Sequence, residues 1–346
     1  MRRLKRYICL VGLLALLAVA LTGCGFSDDS VEELFTLPRM AEEYTGLTQE
    51  LEALITQGYE YASPTGGRNI QSVQMADLDG DGQQEALAFF RMSSDEKPLK
   101  IFVFKIEGDS YARYCTIESS GTAIDSVYYQ DLNGDGRREL IVGWRISAEV
   151  QTVAVYTVAR EPVALMSSGY TRFTIQDLNG DGIPSLLVLR TDADSQPVAE
   201  FYGWQEEQMG VAYRCVLSST MASVNRGSLV SGRLDADTPA LYITGVDEQG
   251  MAATDILVFR QDLGLVNLAL SGSSTGVSNA VFPYRQLLPQ DINGDGIIEL
   301  PSPDTSWTAE QTDGLVSWLC CNGDGQLSTV AKTYHSLSCG WYFTIP

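Results

Sequence analysis

The chain has 346 residues, of which 45% are hydrophobic, enough for one large domain or two small ones. It carries 44 acidic and 23 basic residues, and its formal net charge is −21. A surface of this sign repels nucleic acid and anionic lipid headgroups and attracts cations, so the composition argues against a nucleic-acid-binding protein.

The N-terminus has the pattern of an export signal. The basic residues Arg2, Arg3, Lys5 and Arg6 precede an apolar run of 14 residues from Ile8 to Leu21. This length suits the core of a signal peptide and is short for a helix that spans a bilayer. We therefore expect the chain to be exported.

The residues that end this run resemble the bacterial lipoprotein box, because Leu21-Thr22-Gly23 leads directly to Cys24. The resemblance implies that residues 1–23 are removed and that Cys24 becomes a lipid-modified first residue. Its acyl chains would hold the protein on the extracytoplasmic side of the cell membrane. The alternative is an ordinary signal peptide that is cleaved nearby. Because the signal holds four of the basic residues and none of the acids, the mature charge is 19 − 44 = −25.

Residues 24–58 are expected to form a lipid-anchored tether with two short helices. Ser30-Val31-Glu32-Glu33 has the spacing of a capping box. Apolar residues then recur at helical spacing, at Leu47, Leu51, Leu54 and Ile55. Gly58 is a candidate C-cap for this second helix. The segment is interpreted either as a docking arm or as a spacer packed against the edge of the main domain.

From about residue 68 onward, a loop rich in acids and glycine recurs. The copies are ADLDGDGQQEA (76–86), QDLNGDGRREL (130–140), QDLNGDGIPSL (176–186) and QDINGDGIIEL (290–300), and a degenerate copy is GRLDADTPAL (232–241). They recur at intervals of 46 to 58 residues. A period near fifty matches the size of one four-stranded propeller blade.

Each repeat has the order strand, acid loop, strand, strand, strand. In the second repeat the strands are AIDSVYY (123–129), ELIVGW (139–144), TVAVYTV (152–158) and PVALMSS (162–168). First strands start near residues 69, 122, 170, 227 and 283, and a spare strand follows at 338–346. We expect residues 59–346 to be all-β, a β-propeller of about five four-stranded blades. The spare strand either helps to close a five-bladed ring or belongs to an incomplete sixth blade.

The odd positions of each loop, numbered from its first acid, offer oxygen ligands that can converge on one point. Side chains supply positions 1, 3, 5 and 9, and position 7 supplies its backbone carbonyl, a set that favours a hard cation such as Ca²⁺. The candidate ligands are Asp77, Asp79, Asp81, Gln83 and Glu85 in the first loop, Asp131, Asn133, Asp135, Arg137 and Glu139 in the second, Asp177, Asn179, Asp181 and Ile183 in the third, and Asp291, Asn293, Asp295, Ile297 and Glu299 in the last.

The loops are not equivalent. The third loop has Ser185 at position 9, which predicts a weaker site. The degenerate loop has Arg233 at position 1 and Pro239 at position 7, so we expect no metal there. Three or four Ca²⁺ ions are therefore expected for each chain. The alternative is that Asn-Gly and Asp-Gly are plain turn signals, although a metal-free turn has no need of several acids that face one another.

The pattern Asp-x-Asp/Asn-Gly-Asp-Gly-x-x-Glu between strands resembles the FG-GAP/VCBS repeats of integrin-α-like propellers. The resemblance covers about residues 69–345. It implies a propeller in which this loop joins the first two strands of a blade and binds Ca²⁺. An EF-hand is disfavoured, because its loop needs flanking helices and an acid at position 12. Position 12 here is Ala88, Val142, Val188 or Ser302.

The cysteines and the single histidine argue against a zinc site. No CxxC motif occurs, and His335 is the only histidine. Export and lipidation leave an odd number of thiols, at Cys115, Cys215, Cys320, Cys321 and Cys339. Either Cys339 bridges Cys320 or Cys321, or all five are buried thiols on strands.

The resemblance implies a membrane-anchored, Ca²⁺-binding protein of the cell surface that serves in binding, in adhesion or as a scaffold. Its ligand would be a protein or a glycan, and no catalytic residue is assigned. The alternative is a secreted enzyme that acts on polysaccharide, a glycosidase or a lyase. Acids are abundant, and their separation across a cleft cannot be seen in a sequence.

The lipoprotein box predicts the outcome of one substitution. Cys24→Ser should release the protein from membranes or leave its precursor uncleaved, because the acyl chains have no other attachment site in the box. Detergent partitioning and mass spectrometry of the mature N-terminus measure this. An unmodified mature chain that begins at another residue would contradict the prediction.

Overall fold

The computed structural model describes residues 44–250, 252–268, 287–303, 313–336 and 338–345. Cys24, the signal peptide and the first of the two expected helices lie outside these residues. Within the described ranges, no helix combines the length and the apolar character that a membrane span requires.

The second expected helix is present as α1 (Thr45–Thr56). Its Leu47 and Leu54 are buried, whereas Ile55 is 47% exposed. The chain leaves the helix at Gly58, whose φ of 96° is readily adopted only by glycine. The Gly58 N–H bonds to the carbonyl of Ile55 over 3.0 Å, so the expected C-cap is confirmed.

After α1 the described chain is almost wholly β, as predicted, and it forms five antiparallel sheets. The first contains β1 (Glu60–Tyr61), β2 (Val73–Ala76), β3 (Glu85–Arg91), β4 (Leu99–Glu107) and β5 (Ser110–Ser119). The second contains β6 (Ala123–Gln130), β7 (Glu139–Arg145), β8 (Gln151–Tyr156) and β9 (Ala164–Gly169). The third contains β10 (Arg172–Gln176), β11 (Ser185–Thr191), β12 (Pro197–Gln205) and β13 (Gln208–Val216).

The last two sheets follow in the same manner. The fourth contains β14 (Leu229–Arg233), β15 (Pro239–Val246), β16 (Ala252–Arg260) and β17 (Gly264–Asn267). The fifth contains β18 (Leu300–Pro303), β19 (Asp313–Cys321), β20 (Leu327–Ser336) and β21 (Trp341–Ile345). A one-turn helix between the third and fourth sheets, α2 (Met221–Val224), has no counterpart among the predicted elements.

Strands that are neighbours in the chain are neighbours in each sheet, except that β1 and β2 both pair with β3, and every pairing is antiparallel. The acid loops join β2 to β3, β6 to β7 and β10 to β11, and the degenerate loop joins β14 to β15. The last acid loop precedes β18 and is closed by a bridge between Gln290 and Glu299. The predicted order of strand, acid loop and three further strands is therefore confirmed in the first three repeats.

Hydrophobic clusters join each sheet to the next one. Neighbouring residues of a strand point to opposite faces. Leu186 of β11 accordingly packs with residues of the second sheet, and Leu187 packs with residues of the fourth. In the same way Leu241 of β15 faces the third sheet, and Tyr242 faces the fifth. Among the clusters that the described residues form, none joins the fifth sheet to the first.

The second face of the first sheet is covered by the segment around α1. A side chain at Gly46 would collide with Ser110 at the start of β5. Beyond the helix, the ring of Tyr59 packs edge-to-face on Phe102 and Phe90, with centroid distances of 5.3 and 6.2 Å. This packing agrees with the interpretation of the segment as a spacer that lies against the main domain.

The spare C-terminal strand was expected either to help close a five-bladed ring or to belong to an incomplete sixth blade. The structure places it elsewhere. It is β21, and it pairs with β20 as the outermost strand of the fifth sheet, with Tyr334 opposite Phe343. It therefore starts no sixth sheet, and its described pairing is not with the first sheet. The aromatic residues of β20 and β21 explain this register, because Tyr334 and Phe343 stack at a centroid distance of 5.6 Å.

The five thiols are free. No bridge joins Cys339 to Cys320 or Cys321, so that alternative is wrong. The other alternative holds only in part: Cys115 and Cys321 are buried, but Cys339 is exposed in the turn before β21.

The packing of α1 predicts unequal effects for two adjacent residues. Leu54→Ala should lower the free energy of unfolding by about 2–5 kcal/mol, the usual result of emptying a fully buried leucine site. Ile55→Ala, its matched control, should cost about 0.5 kcal/mol or less because the side chain is largely in water. Denaturant unfolding of both variants measures the difference. Equal effects would mean that α1 does not pack as described.

Candidate metal centre

The acid loops lie beside one another at the same end of successive sheets. The Arg138 N–H in the second loop donates to the Leu78 carbonyl of the first loop over 2.7 Å. The Ile298 N–H after the last loop donates in the same way to the Arg233 carbonyl of the degenerate loop over 3.0 Å. A side chain at Gly134 in the second loop would collide with Ile183 in the third. The repeat therefore places carboxylates in neighbouring corners.

Within each loop the first aspartate is an acceptor for the turn. In the second loop Asp131 accepts the Gly134 N–H over 2.6 Å and the Gly136 N–H over 2.8 Å. Both glycines have positive φ, 76° and 85°, which directs their N–H groups inward. The same two bonds form in the other loops, to Asp77, Asp177 and Asp291. These glycine N–H groups hold the pKa of Asp291 below its usual value.

The fifth position is oriented by the seventh. One oxygen of Asp135 accepts the backbone N–H of Arg137 over 2.8 Å. The equivalent N–H groups of Gln83, Ile183 and Ile297 bond in the same way to Asp81, Asp181 and Asp295. The second oxygen of Asp135, Asp181 and Asp295 points to position 3 of its own loop, whose asparagine donates to it.

The ninth position carries a buried acid. Glu85, Glu139 and Glu299 are each less than 5% exposed, and each accepts the backbone N–H of the residue at position 2 over 2.7–3.0 Å. Burial raises the pKa of Glu139 to about 7, and the charges of Asp135 and Asp131 add to the effect. Burial also raises the pKa of Glu85 and of Glu299. The ninth position thus holds a carboxyl group whose ionised form is poorly solvated by water.

Between these carboxylates lies a hydrogen-bond donor. The amide nitrogen of Asn293 donates to Asp295 over 2.9 Å and to Glu299 over 3.2 Å. The amide of Asn133 donates to Asp135 over 3.2 Å, and that of Asn179 to Asp181 over 2.7 Å. The polar hydrogens of the asparagine therefore place partial positive charge beside the carboxylate at position 5 in all three loops, and beside the one at position 9 in the last loop.

The first loop differs, because Asp79 replaces the asparagine. One ligand atom each from Asp77, Asp79 and Glu85 lies within 4.8 Å of the others, the only such group of three acids in the described part of the chain. The ammonium group of Lys105 bonds to Asp79 and lies 3.6 Å from Glu85. Its hydrogen bond lowers the pKa of Asp79. The other oxygen of Asp79 is buried and has no hydrogen-bond partner among the described residues.

The degenerate loop is closed by its own residues. The guanidinium of Arg233, at the position of the first aspartate elsewhere, donates to the Ala236 carbonyl. Asp235 accepts the N–H groups of Asp237 and Thr238 over 3.0 and 2.9 Å. The third loop keeps its first three polar positions, and Ser185 at position 9 begins β11 without a carboxylate. The predicted inequality of the loops is therefore visible in their geometry.

Two features of this end of the sheets were missed in the sequence. One is Lys105, a basic residue in the apolar strand β4. The other is a groove of about 810 Å³ beside the first three loops, lined by Asp79, Asp135, Asp181, Tyr202 and Trp204 among others. The Trp204 N–H donates to the Leu132 carbonyl over 2.7 Å, which ties β12 to the second loop. The alternation of side chains along β4 and β12 indicates which face Lys105 and Trp204 lie on. It does not identify their hydrogen-bond partners, because these lie in the acid loops, far away in the chain.

Comparisons with protein-family models and with curated proteins give no match for this chain. Among solved structures, a hypothetical protein from Leishmania major is similar over 63% of this chain and 75% of its own. The identity is 10% and the TM-score is 0.22. A likeness at that score supports no conclusion about fold or function.

The hydrogen bonds of the first aspartate predict how much this residue contributes to stability when no ion is bound. In a chelator, Asp131→Ala should lower the free energy of unfolding by about 0.5–2 kcal/mol, as the loss of a helix-capping side chain does, because two backbone N–H groups lose their acceptor. Asp237→Ala is the control, since Asp237 joins the degenerate loop through its backbone N–H. Thermal unfolding with EDTA compares them, and equal melting temperatures would contradict this assignment.

Proposed function

We propose that this protein is a membrane-anchored, extracytoplasmic β-propeller that binds Ca²⁺ in its acid loops and serves as a binding or scaffold module. The observation that carries the calcium proposal is the recurring interior of the loops. In four loops a donor hydrogen from asparagine or lysine bonds to at least one of the loop carboxylates. Each of these loops therefore has a place that favours positive charge and is surrounded by oxygen atoms. Such a place is suited to a hard cation.

The donor set fits calcium. In the second loop, Asp131, Asn133, Asp135 and Glu139 with the Arg137 carbonyl would supply only oxygen ligands, which Ca²⁺ prefers. In the first loop one buried oxygen of Asp79 has no hydrogen-bond partner among the described residues, so this loop keeps a free ligand atom even beside Lys105. A bound ion would neutralise the carboxylates and hold β6 and β7 together at the corner of the sheet. Its role would be structural, and no reaction step is assigned to it.

The propeller arrangement is supported by the repetition of the packing. Five sheets of consecutive strands, joined in order by four apolar clusters, with their loops side by side, are what successive blades require. In this proposal α1 and Tyr59 lie on the first blade, and β21 is the outermost strand of the fifth blade. Cross-linking mass spectrometry would test closure of the ring, because only a closed ring brings the fifth sheet beside the first.

The groove beside the first three loops is the surface that we propose for ligand binding. It combines the aromatic rings of Trp204 and Tyr202 with carboxylates and with Arg137, and it opens next to the proposed ions. Aromatic rings beside polar groups suit many ligands, including sugars. A glycan array probed with the Cys24→Ser chain, in millimolar Ca²⁺ and in EDTA, tests this role. Turnover of a polysaccharide would favour an enzyme instead.

Calcium should stabilise the protein, because an ion that binds only the folded state stabilises it by mass action. Sites in extracellular modules have Kd values of about 10⁻⁴–10⁻³ M. At 100 times Kd, one such site contributes about 2.7 kcal/mol. Addition of about 10 mM Ca²⁺ to the chelated protein should therefore raise the melting temperature by several degrees.

Two variants separate this effect from general screening of the negative charge. Asp135→Ala removes a central ligand and should lower both the Ca²⁺ stoichiometry and the gain in melting temperature. Asp237→Ala, in the degenerate loop, should change neither. Calorimetric titration and thermal unfolding provide the measurements. If the chelated wild-type protein binds no Ca²⁺ at millimolar concentration, the loops are plain turns and the calcium proposal is wrong.

A further inference from the structure

Lys105 occupies a special place relative to the first acid loop. It belongs to β4, which pairs with β3, the strand that begins at the ninth loop position. Its ammonium group reaches Asp79 and Glu85, and lies 4.7 Å from the centre of the Tyr114 ring. The side chain is 18% exposed, so a neighbouring strand and an aromatic ring hold the charge against the loop.

The strand register identifies the equivalent residue in the other sheets. Ala86, which follows the ninth loop position, pairs with Phe104, and Lys105 comes next. In the second sheet Leu140 pairs with Tyr156, so the equivalent residue is Thr157. In the third and fifth sheets the same register gives Gly203 and Cys320. Among these four sheets, only the first places a charged side chain at this point.

The residue at position 3 of each loop varies together with the residue equivalent to Lys105. The first loop has Asp79 with Lys105, whereas the second has Asn133 with Thr157 and the fifth has Asn293 with Cys320. One added carboxylate is thus matched by one added ammonium group. Counted over positions 1, 3, 5 and 9 and this strand residue, the formal charge is −3 for the first, second and last loops, and in the first sheet the chain itself supplies one positive charge.

We propose that Lys105 is the built-in cation of the first loop and that it decides which loops take a divalent ion. The first loop is held closed by the ammonium group, so Ca²⁺ has to displace Lys105 before it can reach Asp79 and Glu85. The loops that start at Asp131 and Asp291 have no such group and take their cation from solution. This inference rests on the proposed calcium function and sharpens it, since the most acidic loop becomes the poorest of the three complete sites.

The energetic reason is direct competition at one place. Ca²⁺ and an ammonium group within about 4 Å repel each other, and the repulsion is twice that between two unit charges because the ion carries two. Lysine is tethered and always present, whereas Ca²⁺ is diluted to its solution concentration. Lys105 therefore keeps the site unless the carboxylates bind Ca²⁺ with a more favourable free energy than they bind the ammonium group.

A reciprocal pair of substitutions tests the inference. Lys105→Met keeps the apolar stem on Tyr114 but removes the charge, and should add one Ca²⁺ to each chain or tighten the weakest site roughly tenfold. It should also make the melting temperature fall in EDTA and recover in Ca²⁺. Thr157→Lys places the ammonium group beside the second loop and should remove one Ca²⁺. Lys97→Met is the control, since Lys97 is exposed and 4.0 Å from Glu118.

Calorimetric titration and unfolding of the full chain give distinct outcomes. If the wild type binds Ca²⁺ and Lys105→Met matches it in stoichiometry, affinity and calcium dependence, the inference is wrong while the calcium function stands. If only Lys105→Met binds Ca²⁺, Lys105 does block the first loop, but the other loops do not take Ca²⁺ and the proposed function fails for them. If neither binds, both are wrong. Should Lys105→Met not fold, Thr157→Lys, which removes no buried contact of the first sheet, decides the inference: an unchanged stoichiometry overturns it.

Discussion

The two apolar faces of every sheet impose the constraint on which the rest of the structure depends. Adjacent residues of a central strand point in opposite directions, so Leu186 needs the second sheet while Leu187 needs the fourth. Apolar surface left in water costs about 25 cal/mol for each Å². Packing consecutive sheets face to face removes this exposure. The same need explains the segment around α1, because Tyr59 covers Phe90 and Phe102 on the face of the first sheet that no neighbouring sheet is seen to cover.

Stacked sheets in turn gather charge at one end. Because the loop always joins the first two strands, identical corners are brought together, and the backbone bond from Arg138 to Leu78 fixes two of them side by side. The protein thereby concentrates carboxylates although its net charge is already −21. Glycine N–H groups satisfy the first aspartate of each loop, but the acids at positions 5 and 9 depend on a donor from another residue. This leaves an electrostatic demand, which our proposal assigns to calcium.

The loops meet that demand in two ways. In the first sheet the chain provides Lys105, and in the second, third and last acid loops an asparagine amide gives only a partial charge. A lysine makes the stability of a corner independent of the calcium concentration, whereas a loop without one responds to it. The groove beside Trp204 lies next to both kinds of loop. The Trp204 N–H is bonded to the Leu132 carbonyl, so one hydrogen bond joins the wall of the groove to the second loop.

The sequence by itself determined the repeat, the order of strands and loops, and the polar positions of each loop, because these depend on local spacing: alternation, Gly-rich turns and acids two residues apart. It also placed α1 and its cap at Gly58. The tertiary structure decided the rest. The sequence counted a spare strand, but only pairing showed that β21 extends the fifth sheet through Tyr334 and Phe343. The sequence predicted complete metal sites in the first, second and last loops without ranking them, and only the register of β4 against β3 revealed Lys105 beside the first. Side chains that meet across strands are distant in the chain, and no local pattern records which charge lies opposite which.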